Sequence, residues 1–167
     1  MNSGLTRLAL FTRDLLSYDE QLIRIGRENF IREDFTSGFI VIDALGPTIR
    51  LASGNKYNGD TELQSLNDLY QAPCTVNFYG SGAYARATEF TLRIRSQEAY
   101  DLQVEHLVTV NRVSTLTDVK ALTGQQYGEN IELNLTIQYN QSIDLAVLRI
   151  DEAQIEIISE TGQELAP

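Results

Sequence analysis

The sequence predicts an α+β fold: a mostly antiparallel β-sheet with two helices packed on one face, plus a protruding loop or hairpin. Three observations carry this. The segments run helix, strands, helix, strands, which groups elements instead of alternating them one by one. Ile131, Leu133, Leu135, Ile137 and Tyr139 alternate with Glu132, Asn134, Thr136 and Gln138, the signature of a strand with one apolar and one wet face. Residues 53–61 (SGNKYNGDT) concentrate turn formers between two modest strand patterns.

The elements follow in chain order. Leu5, Leu8, Thr12, Leu15 and Leu16 recur at helical spacing, so a first helix is expected over about residues 4–17. QLIRIG reads as a short strand, FIREDFTSG as a polar turn, and GFIVIDALGP as a strand apolar on both faces that Gly46-Pro47 ends. SGNKYNGDT is the expected exposed tip. TELQSLNDLY is ambiguous, and Pro73 is expected to break it. Beyond it Cys74, Val76 and Phe78 share one face of a strand. Gly80-Ser81-Gly82 then turns the chain, with Ser81 the expected N-cap of a helix that buries Ala83, Ala87, Phe90 and Ile94 and runs to about Ser96. EAYDLQ extends that helix after a bend. HLVTVNRV is a strand, STLTDVKAL a connection with a possible helical turn, NIELNLTIQY the plainest strand of all, and AQIEII a last alternation. One domain spans 1–167, with 160–167 a flexible tail.

Chemistry is scarce in this pattern. The glycine turn lacks the Lys-Ser or Lys-Thr pair that a phosphate-binding P-loop needs, and no βαβ unit with an acidic partner follows it. His106 is the only histidine and Cys74 the only cysteine, so a zinc site of the usual ligand set cannot be assembled, and any catalytic triad must use His106. The acidic pairs Glu33-Asp34, Asp60 with Glu62, and Asp151-Glu152 show no metal-loop spacing. No cofactor, metal or catalytic residue is expected. The net charge of −10 disfavours a nucleic-acid binder, because phosphate recognition rests on cations. No signal-peptide pattern and no bilayer-length apolar run occur, so neither export nor a membrane partner is expected.

The stretch VNFYGSGAYARATEFTLRIRSQEAYDLQ resembles the strand-to-helix centre of bacteriophage neck and tail-terminator proteins. HLVTVNRVSTLTDVKALTGQQYGENIELNLTIQYN resembles the two strands that follow there, and IRIGRENFIREDFTSGFIVIDALGP fits their earlier strands. The resemblance covers roughly residues 20–155. It implies a non-enzymatic virion protein, assembled in the host cytoplasm. Such a protein forms a ring, usually six-fold, that caps the tail tube and joins it to the head connector. Implied partners are further copies of the chain and the tube, sheath or connector proteins, with DNA passing through unbound. The candidate interface residues are then Asn55, Lys56 and Tyr57 on the exposed tip, Glu132, Asn134 and Gln138 on the wet strand face, and Arg86 and Arg93 as partners for acids. The competing expectation is a small ligand-binding module, or a hydrolase using carboxylates at the sheet edge.

Overall fold

The computed structural model describes residues 3–26, 38–119, 121–123 and 126–147. The expected tail at 160–167, the alternation at 153–158, the acidic pairs Glu33-Asp34 and Asp151-Glu152, and nearly all of the polar segment from Phe30 lie outside them. In order the elements are α1 (Ser3–Leu16), a 3-10 turn (Glu20–Leu22), β1 (Ile23–Ile25), β2 (Phe39–Ala44), β3 (Ile49–Asn58), β4 (Leu63–Tyr79), α2 (Ala83–Arg93), α3 (Gln97–Glu105), β5 (Val108–Asn111), β6 (Thr117–Asp118), β7 (Ala121–Thr123), β8 (Gln126–Gly128) and β9 (Asn130–Ala146).

The main sheet has the order β1-β2-β4-β9-β5, with β3 added to β4 and β6 to β9, while β7 and β8 form a separate ribbon. Every pair is antiparallel except β1 with β2, so the sheet is mixed but largely antiparallel, as the α+β expectation requires. The helices pack on one face. Leu8, Phe11 and Leu15 of α1 are spaced three and four residues apart and are fully buried. Phe90 of α2 sits between the ring of Phe11 (6.4 Å, edge-on) and that of Phe78 in the sheet (5.9 Å). Ala72, Cys74, Val76 and Phe78 of β4 meet Ile131, Leu133, Leu135 and Ile137 of β9 beneath this layer. Close approach matters at Gly4, where a Cβ would fall 2.4 Å from the Tyr139 ring.

Four details differ from the sequence reading. The helical layer has three members, because α2 stops at Arg93 and Ser96 starts a new helix, its Oγ accepting the Ala99 N–H at 3.2 Å. Pro73 does not break β4. Leu45 N donates to the Pro73 carbonyl at 2.9 Å, so the side of Pro73 that lacks an N–H faces the gap where β2 ends and β3 begins, and the ladder to β9 loses nothing. The 114–122 connection pairs Thr117 and Asp118 with β9 instead of forming a helical turn. Residues 53–58 are strand, and the exposed tip narrows to the four residues between β3 and β4.

The apolar positions expected on the inner faces of these elements are otherwise buried, with Ile94 and Val110 packed half-buried at the rim of the core. Both faces of β2 are buried, as its unbroken apolar run demands. Phe39 and Val41 lie on the face away from the helices, where Phe39 stacks on Tyr79 with ring centroids 4.8 Å apart.

Candidate assembly arm

β4 and β9 are each 17 residues long and pair along their whole length, from Leu63 opposite Ala146 to Tyr79 opposite Asn130. Burial on β4 stops at Ala72 and on β9 at Tyr139. Beyond those residues the two strands continue outward, and β3 adds to β4 from Ile49 opposite Gln71 to Asn58 opposite Leu63. The product is a three-stranded arm about 30 Å long. Every residue of β3 is exposed, and so is every residue of β9 from Asn140 to Ala146.

Register assigns the arm two faces. On the helix side lie Asn55, Leu66 and Ile143 in one cross-strand row and Tyr57, Gln64 and Leu145 in the next. On the opposite side lies the row Lys56, Ser65 and Asp144, where the Ser65 hydroxyl donates to Asp144 Oδ1 at 2.5 Å. Ile143, Leu51 and Tyr57 are 57%, 47% and 48% exposed, which is a large apolar load for strands that cover no core of their own. Asn58 Oδ1 accepts the Asp60 N–H at 3.0 Å and Glu62 takes a positive φ, so the tip is a tight polar turn.

The root of the arm is stiffened. Asp68 accepts from Ser53 Oγ (2.7 Å) and Tyr70 Oη (3.0 Å) and lies 3.6 Å from the Arg50 guanidinium. The Ser53 hydrogen bond foremost, then those from Tyr70 and the charge of Arg50, hold its carboxyl below the usual range. Tyr70 stacks on Tyr139, and Arg7 lies over the Tyr139 ring while donating to the Leu107 carbonyl at 2.9 Å. A groove of about 500 Å³ runs beside this root between α3 and β9, lined by Arg7, Tyr100, Gln103, Val104 and Leu107 among others, with no carboxylate among the described residues of its wall.

The expected interface residues divide. Asn55, Lys56 and Tyr57 share the arm with Gln138 at its root, where Gln138 donates to Gln71 at 3.2 Å. Glu132 and Asn134 bond one another at 3.1 Å on the sheet face turned away from the helices. Arg86 and Arg93 serve this chain's own backbone. Arg86 donates to the Tyr79 and Ser81 carbonyls (2.7 and 2.8 Å), and Arg93 to the Leu15 carbonyl (3.0 Å) with Glu89 as its ion pair (2.8 Å). Ile143, Leu145 and Leu51 did not stand out in the sequence. The signal for Ile143 and Leu145 is the apolar alternation of β9 resuming after Gln141, which gives a strand longer than the helices can cover.

The other chemical candidates are engaged in structure. Ser81 does not cap α2. Gly82 occupies the N-cap with φ 74°, and the Ala83 N–H goes to Glu129 Oε2 and the Gly80 carbonyl, both at 3.1 Å. A carboxylate already holds the helix end where a phosphate would sit. His106 closes α3 as its C-cap, and its Nε2 is 2.7 Å from Asp14 Oδ2. Among the described residues no hydroxyl bonds it, and no cluster of three metal-binding side chains occurs. Cys74 is buried, and that burial pushes its thiol up to about 12, the opposite of an activated nucleophile. Asp60 and Glu62 stand at the exposed tip of the arm. Among the described residues no helix is long and apolar enough to cross a membrane.

Residues 6–162, nearly the whole chain, match the family model described as phage neck terminator protein. No curated protein matches the chain.

Proposed function

We propose that this chain, which belongs to the phage neck terminator protein family, closes into a homo-oligomeric ring that stops growth of the tail tube and joins it to the head connector. Membership makes it a structural protein of a phage tail. The ring, its six-fold order and its place between tube and connector are our reading.

The observation that carries the reading is the arm. A monomer gains little from three strands that leave the body, cover no core, and expose Leu51, Tyr57, Leu63, Ile143 and Leu145. Such strands are useful when something else packs on them. The charge supports the same role. A net charge of −10 keeps subunits soluble before assembly, and a lumen bearing the excess acid lets DNA slide past without being gripped. The polar face carrying Glu132 and Asn134 is a second surface on which tube or connector proteins can dock. Among the described residues the groove beside α3 is lined by no carboxylate pair.

Deletion of the gene from the phage tests this. The expected result is tails of uncontrolled length that fail to join filled heads, repaired by supplying the chain in trans. Tails of normal length joined to heads without the chain would overturn the reading.

A further inference from the structure

Among the described residues the arm ends sideways in two sheet edges without a partner strand, and we propose that β3 of one copy pairs with the outer half of β9 of the next, so that the ring is sewn together by one continuous β-sheet. This rests on the ring reading above and names the surfaces that make it.

The edges follow from hydrogen-bond alternation. In an antiparallel pair, successive residues point their N–H and C=O alternately toward and away from the partner strand. Val147 N donates to Glu62 O at 2.9 Å, which points that residue toward β4. Asn134 and Asn130 point the other way, bonding Ser114 and Val119 respectively. By the same alternation Asn140, Ser142 and Asp144 direct their backbone groups away from β4, and β5 stops pairing at Tyr139. On β4 the Pro73 carbonyl faces β2 and β3, so Leu69, Asn67 and Ser65 bond Ala52, Gly54 and Lys56. Ser53, Asn55 and Tyr57 are left facing outward. Among the described residues β3 pairs only with β4.

The two edges are complementary. β3 carries three successive outward-facing residues, and the outer half of β9 carries four, Ala146 included. They bound opposite sides of the same three strands, so joining one to the other is head-to-tail and closes into a ring, whereas β3 with β3 or β9 with β9 stops at a dimer. β3 carries Arg50 and Lys56 and no acid; β9 from Asn140 to Ala146 carries Asp144 and no base. Head-to-tail pairing brings Lys56 to the side of the sheet that displays Asp144, while self-pairing sets like charges together. Both strands run antiparallel to β4 and therefore parallel to each other, so a rotation axis along the arm makes the new pair parallel. Exposed edges of this length with apolar side chains otherwise invite indiscriminate aggregation, and ring closure removes them.

Proline and cysteine substitutions test it. Asn55→Pro and Ser142→Pro each remove an outward N–H and none toward β4, so each variant should fold with the circular dichroism of the wild type. Each should need about tenfold more protein, or a still higher concentration, to assemble in mass photometry. Rings that survive both prolines overturn the pairing. Should a proline variant misfold, oxidation of a chain carrying Asn55→Cys with a second cysteine at Gln141, Ile143 or Leu145, which lie on the same face of the sheet as Asn55, decides, since Cys74 is buried. One of these pairs should give a ladder of covalent oligomers on a non-reducing gel, with monomers from each single variant. Dimers from Asn55→Cys alone, or no ladder from any pair while rings persist, overturn the proposal. A wild-type chain that never forms a ring refutes the ring reading itself, which separates the two failures.

Discussion

At position 82 the backbone turns left-handed with φ 74°, a conformation that costs a residue with a Cβ about 1–2 kcal/mol. Gly82→Ala should therefore lower stability by that amount, whereas Ser81→Ala, at an exposed position that caps nothing, should change it by no more than about 0.5 kcal/mol. Chemical denaturation of the two variants checks the assignment, and a larger loss for Ser81→Ala would restore the serine as the cap. The turn was legible from its glycines, but its cap was not, because Glu129 reaches the Ala83 N–H from 46 residues away in sequence. Asp14 is a second residue that sequence alone leaves silent. Its carboxylate accepts from Arg13 at 2.6 Å and meets His106 at 2.7 Å, tying α1 to the end of α3. The Arg13 hydrogen bond first, and the His106 bond after it, hold its pKa below the ordinary carboxylate value against the opposing effect of burial. A carboxyl depressed in the folded state adds stability that is complete above the unfolded value of about 3.9 and is lost as pH falls through the folded one. Asp14→Asn should thus lower the melting temperature at pH 7, by about 1–2 kcal/mol of stability, with the gap to wild type closing below about pH 4. A gap that stays constant into acid would contradict the ionised pair.

Elements were read well where one face is buried and poorly where neither is. The inner half of β4 and residues 130–139 of β9 show their periods because helices cover one side of them, and α1 and α2 show theirs for the same reason, while β2 shows as an unbroken apolar run because both its faces are buried. Phe90→Ala should cost about 3–5 kcal/mol, since its ring is fully buried between Phe11 and Phe78. A loss below about 1 kcal/mol in urea unfolding would mean α2 does not pack as described. In the arm no face is selected by a core, so β3 reads as a loop from its Gly, Asn and Ser, and the Gln141 position hides the continuation of β9. Pro73 misleads for a different reason. Proline forbids a strand only where its N–H is needed, and neighbour strands are invisible in a single sequence. The arm's apolar side chains give a sharp expectation. Ile143→Ser with Leu145→Ser should shift monomer stability by less than about 1 kcal/mol, because both side chains are largely in solvent, yet weaken assembly measurably in mass photometry. Unfolding of the double variant would mean that the arm belongs to the core after all.

For the whole molecule, the order of elements gave the fold class, and the segments around Gly80 and Asn130 carried the family resemblance that the match over residues 6–162 bears out. Of the surfaces expected to meet partners, the tip residues Asn55, Lys56 and Tyr57 fall on the arm, whereas Arg86 and Arg93 close backbone carbonyls within the subunit. On the proposal above, the arm makes a ring at the neck of the virion. Cryo-electron microscopy of the head–tail junction in intact particles tests it most directly. A closed ring of this chain is expected between tube and connector, with β3 of each copy hydrogen-bonded along the outer half of its neighbour's β9. A junction without the chain, or copies whose arms do not touch one another, would contradict it.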